Sequence, residues 1–89
     1  MKTYNGHRSW NAWNVSLWIS NTESIYLFAV ECIDRAKKVR ARFSRIESIP
    51  HIAGLAARYF MDMYTNEKTP DGAKYNHLSV RLCLESFME

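Results

Sequence analysis

Several features that would announce a function are missing from this chain of 89 residues. Cysteine occurs only at Cys32 and Cys83, far apart in sequence. Small secreted scaffolds that rely on disulfides carry more, so both read as reduced, buried, small hydrophobes of a cytosolic protein. There are three glycines and no glycine-rich phosphate loop. His7, His51 and His77 stand at neither the i, i+4 nor the short paired spacings that metal sites use. No Ser-His-Asp or Cys-His set can be paired, so neither an enzyme nor a bound metal or cofactor is expected. The N-terminus has no apolar signal core, and no apolar run approaches the roughly 20 residues that span a bilayer. That points away from a membrane and towards the cytoplasm. Charge of one sign is also scarce. A net charge of +3 and a pI near 9.0 argue against an acidic nucleic-acid mimic and permit a polyanionic partner.

What is present is a foldable chain with one domain spanning residues 1–89. Hydrophobic residues make up 47% and aromatic residues 13%. Each buried ring removes roughly 150–250 Å² from water, which offsets the small core of a short chain.

Apolar spacing predicts four helices. Ser9 is placed to cap a first helix beginning at Trp10. Trp10, Trp13, Leu17 and Trp18 share one face of it and read as an inward stripe, with Asn11, Asn14 and Ser16 turned elsewhere. Ser20 and Glu23 fit a capping box, so the second helix should start near Asn21. Ile25, Ala29, Cys32, Ala36, Val39, Phe43 and Ile46 form a seam of alternating threes and fours along it. This helix could break near Arg40 to Phe43. Ser48 and Pro50 open a third helix to about Thr65, with Ile52, Leu55, Ala56, Tyr59, Phe60 and Met63 as its stripe. Gly54 inside it suggests a close helix crossing. Residues 66–76 are the clearest loop, turned by Pro70, Asp71 and Gly72. Asn76 caps a last helix over 77–88, with Leu78, Cys83, Leu84, Phe87 and Met88 apolar and Val80 and Leu82 less clearly so. The expected fold class is all-α, a small four-helix bundle with one long basic second helix.

Two groups are candidate partner-binding residues. Arg35, Lys37, Lys38, Arg40, Arg42 and Arg45 crowd into residues 35–45 and should cover the sides of the second helix away from its seam. They would meet an acidic protein surface or phosphates, or remain a solvated face whose arginine stems cover apolar surface. Only Phe43 interleaves with them, which gives base stacking little support. The aromatics Tyr4, Trp10, Trp13, Trp18 and Tyr26 read mostly as core, with Trp10 and Tyr4 as candidate interface anchors.

The stretches Tyr4–Asn5–Gly6 and Trp13–Asn21, with Tyr26 beyond, resemble a family of small bacteriophage and mobile-element proteins. Its pattern runs Tyr-Asn-Gly-Trp, then Thr-Trp-x-Val-x-Leu-Trp, then Asn-Asp and a downstream Tyr. The likeness rests on Asn5, Gly6, Trp13, Val15, Leu17, Trp18 and Asn21. It departs at His7, where the family has Trp, and at Ala12, where it has Thr. The resemblance implies a small accessory protein in the cytoplasm of a bacterial host. Such a protein would act by stoichiometric binding to a host protein or ribonucleoprotein, with inhibition of a CRISPR or restriction system as the leading role. A small nucleic-acid-binding regulator using the basic helix is the alternative. A homodimer joined through the seam over residues 25–46 is the third reading.

Overall fold

A computed structural model describes residues 7–43 and 49–89, with the backbone alone at Arg42 and Phe43. The helices are α1 (Trp10–Asn21), α2 (Glu23–Phe43), α3 (Ile49–Met63) and α4 (His77–Met88). The all-α bundle is therefore as expected. α3 packs on α4 and α2, while α1 packs on α4 and α2. The four share one core. The radius of gyration is 12.7 Å, close to the ~12 Å of a compact chain this long.

Two caps are as the sequence predicts. The Ser9 hydroxyl accepts from the Ala12 amide at 3.1 Å, and the Asn76 side chain accepts from the Ser79 amide at 2.9 Å. The capping box at Ser20 and Glu23 is not used. α1 runs on through Asn21, and Thr22 alone separates it from α2. Thr22 adopts extended backbone angles. Its N–H donates to the Trp18 carbonyl, and its own carbonyl accepts from the Tyr26 amide. One residue thus closes one helix and opens the next. α2 is unbroken through Phe43. Ile46 and Ser48, counted above as seam and cap, lie outside the described residues.

The inward face of α1 corrects the expectation. Ala12, Val15 and Ile19 are buried on its inner face, whereas Trp10 and Leu17 are 39% and 36% exposed. Trp10, Trp13 and Leu17 on one side and Ala12, Val15 and Ile19 on the other both recur at helical spacing. Periodicity finds two apolar stripes and cannot choose between them. The smaller side chains let α1 approach its neighbours closely, and this face turns inward.

The other seams hold in part. Ala29, Cys32 and Ala36 are buried, together with Ile33. On α3, Ile52, Ala53, Ala56, Ala57 and Phe60 are buried, but Met63 stands 60% exposed in the last turn. Leu78 in the first turn of α4 is exposed too, while Val80, Cys83 and Leu84 are buried. End positions on a stripe overhang the neighbouring helix, so period alone overcounts them. Phe60 is fully buried, with ring centroids 4.9 Å from Tyr64 and 5.2 Å from Phe28. Gly54 does not mark an obligatory close crossing: an added Cβ would stand 3.9 Å from Cδ of Arg81, an ordinary contact. Both cysteines are free and buried, as expected. Among the described residues no helix is long and apolar enough to cross a membrane.

Candidate protein-binding site

The described cations of the basic run divide between two flanks of α2. At about 100° per residue, side chains two apart point to opposite flanks of a helix. Arg35 leans towards α3, its guanidinium carbon 4.8 Å from the Tyr59 ring centroid, a cation–π contact over a tyrosine face. Lys37 lines a hollow of about 520 Å³ on the other flank, with Ile33, Ile52 and Phe87. Lys38 is exposed, and the acids Glu31 and Asp34 are exposed on the same helix. Arg40 is half-buried, with its Nε enclosed and unpaired. Arg42 lies in the last turn of α2, and Arg45 and Tyr4 lie outside the described residues. Of the described cations in this run, Lys38 stands outward three residues from Arg35, on the same side of the helix.

The other candidate, Trp10, belongs to a more coherent surface. α1 contains no Asp, Glu, Lys, Arg or His. Trp10 and Leu17, seven residues apart and so on one side, are its exposed large apolar groups. Trp13, three residues from Trp10, is half-buried beside them. Water-facing helices of globular proteins ordinarily carry charged or polar residues on the outer face.

One flank of this surface is fixed by a polar clamp that the sequence reading missed. Asn14 is 1% exposed. Its amide donates to Oδ2 of Asp71 at 2.9 Å, and its carbonyl accepts from the Thr69 hydroxyl at 2.6 Å. The Trp18 indole N–H donates to the same Asp71 oxygen at 2.9 Å. Three residues earlier, the Asn11 side chain donates to the Lys74 carbonyl and accepts from the Lys74 amide, each at 2.8 Å. Asn11 also donates to the Ser79 hydroxyl. The loop answers with its own turn. The Gly72 amide donates to the Thr69 carbonyl across Pro70 and Asp71, and Gly72 takes φ 94°. That conformation suits glycine and strains other residues. The hydrogen bonds from Asn14 and then Trp18 hold the Asp71 carboxyl below its usual pKa. The one sequence signal was composition: asparagine is a poor helix-interior residue unless its side chain finds a partner, and α1 carries three.

The clamp anchors the Asn11–Asn14–Trp18 side of α1 against the loop and leaves the Trp10–Leu17 side open. Among the described residues, no three His, Cys, Asp or Glu are grouped so as to hold a metal ion. The whole chain, residues 1–89, matches a family of unknown function (DUF7249), and the chain belongs to that family. No curated protein and no solved structure matches it.

Proposed function

We propose that this member of the family works by stoichiometric binding to another protein, through the outer face of α1. One observation carries the reading: a helix of 12 residues without an ionisable side chain leaves Trp10 and Leu17 exposed on one side. Interface centres are depleted in charge and enriched in tryptophan, which dominates binding energy where it fills an apolar pocket. The clamp to Asp71 and Lys74 holds the helix rigid before the partner arrives, so little ordering entropy is lost on binding. Lys38 and the net charge of +3 would speed encounter with an acidic partner rather than set the affinity. The resemblance of residues 4–30 to bacteriophage and mobile-element proteins makes host restriction and CRISPR complexes the first partners to try.

Direct binding to nucleic acid is the weaker reading, because Arg35 rests on the Tyr59 ring while Lys37 lines the hollow on the other flank of α2. A phosphate-tracking protein needs several on one face.

The test compares the wild-type chain with a Trp10→Ser/Leu17→Ser variant of unchanged helical dichroism. Each is immobilised and offered the purified complexes, and stoichiometry is read by light scattering. A 1:1 complex with the wild type, weakened by at least about tenfold in the variant, supports the proposal. Equal capture by both would refute it. Binding to bare DNA or RNA that collapses between low and moderate salt would replace it with the nucleic-acid reading.

A further inference from the structure

We infer that two copies of this chain pair through the water-facing side of α2, antiparallel, with a two-fold axis passing beside Val30. The inference concerns a different helix and a different occupant from the proposal above and does not depend on it.

The seam expected to join two copies is already occupied: Ala29, Cys32 and Ala36 are buried inside the single chain. The opposite side of α2 is where apolar surface remains. Tyr26 is 42% and Leu27 52% exposed, and Val30 is half-buried beside them. This strip continues into the hollow of about 520 Å³, whose far walls are Ile49 and Ile52 of α3 and Phe87 of α4. The Tyr26 and Phe87 rings, 5.4 Å apart, form one of its edges. Large apolar groups thus sit together on this side of α2 and around the mouth of the hollow. From Glu23 to Lys37 this side covers about 21 Å of helix at 1.5 Å per residue.

Charge order on the strip selects the occupant and the direction. Glu23 stands at the N-terminal end and Lys37 at the C-terminal end, each seven residues from Val30 and all exposed or at the rim. A two-fold axis at Val30 places Glu23 of one copy against Lys37 of the other, twice. It also sets Tyr26 opposite Asp34, a hydroxyl facing a carboxylate. Parallel pairing would set Glu23 against Glu23 and Lys37 against Lys37. A two-fold contact must be self-complementary, and this strip is so in the antiparallel sense alone.

Sedimentation equilibrium of the intact chain tests the pairing. The expected mass is twice the 10.5 kDa of one chain. Lys37→Glu, an exposed change, should weaken the dimer about tenfold by facing two carboxylates against two. The exchange Glu23→Lys with Lys37→Glu should restore it, which a merely structural role for either residue would not produce. Val30→Glu should give monomers of unchanged helical dichroism. A wild-type monomer at high micromolar concentration would overturn the inference. So would failure of the charge exchange to restore pairing, or a dimer abolished by Trp10→Ser/Leu17→Ser and indifferent to Lys37→Glu.

Discussion

The indole of Trp18 donates to the carboxylate of Asp71 at 2.9 Å, across 53 positions of chain. The bond ties the first helix to the loop before the last one. Asn14 donates to the same oxygen from one helical turn away, so one carboxylate orients two side chains of α1. The loop and the helix hold each other, and the Trp10–Leu17 face is presented as a consequence.

Asn14 is the buried side chain that α1 contributes to this clamp. Replacing it with Ala leaves the Thr69 hydroxyl without its acceptor in a buried position. The expected loss is about 2–3 kcal/mol of unfolding free energy, read from urea midpoints. A change below about 0.5 kcal/mol would mean that water replaces the amide.

Acid should open the clamp. The folded Asp71 carboxyl has a lowered pKa, so its contribution to stability is present above the unfolded value of about 3.9. It disappears as pH falls through the lower, folded value. Trp18 fluorescence should report the change below about pH 4, and Asp71→Asn should remove that transition while leaving the far-ultraviolet dichroism of the helices intact.

The two glycines that the structure discriminates should respond with opposite signs. Gly72 sits at φ 94°, and Gly72→Ala should destabilise by about 1 kcal/mol. Gly54 lies inside α3, where an added Cβ meets only Cδ of Arg81 at 3.9 Å. Gly54→Ala should stabilise by up to about 1 kcal/mol through helix propensity. Thermal melts of the two variants check both; a destabilised Gly54→Ala would restore the close-crossing reading.

The thiols should be inert in the folded chain. Burial, then the neighbouring Glu31, pushes Cys32 up to about 11 against the pull of Arg35. Burial raises Cys83 as well, against the Ser16 and Ser20 hydroxyls. A disulfide-exchange reagent at pH 8 should label neither until denaturant is added. Because both folded values are raised, the thiols' contribution to stability is complete below the unfolded pKa of about 8.5 and is lost as pH rises towards the folded values.

Phe60 should be the most expensive single truncation. Its ring is fully buried against Phe28 and Tyr64, and Phe60→Ala should cost about 3–5 kcal/mol. Denaturant unfolding measures it.

Local signals were legible in the sequence because they act over a few residues. Ser9 and Asn76 cap helices where a short polar side chain reaches the backbone two or three residues on, and Pro70–Asp71–Gly72 turns the chain through backbone preference alone. The α2 core line Ala29, Cys32 and Ala36 was legible because only one side of that helix is continuously apolar. α1 was ambiguous: Trp10, Trp13 and Leu17 on one face, Ala12, Val15 and Ile19 on the other, and a period of 3.6 fits both. Tertiary contact decided it, since the small face packs closely while Asn11 and Asn14 find partners near residues 69–79 that no short window contains. The same holds for the cations. Sequence determined that they cluster between residues 35 and 45; only the neighbouring helices decided that Arg35 rests on Tyr59 while Lys37 faces the hollow. Proximity along a chain fixes which backbone forms, but the direction a side chain faces depends on what the rest of the molecule places beside it.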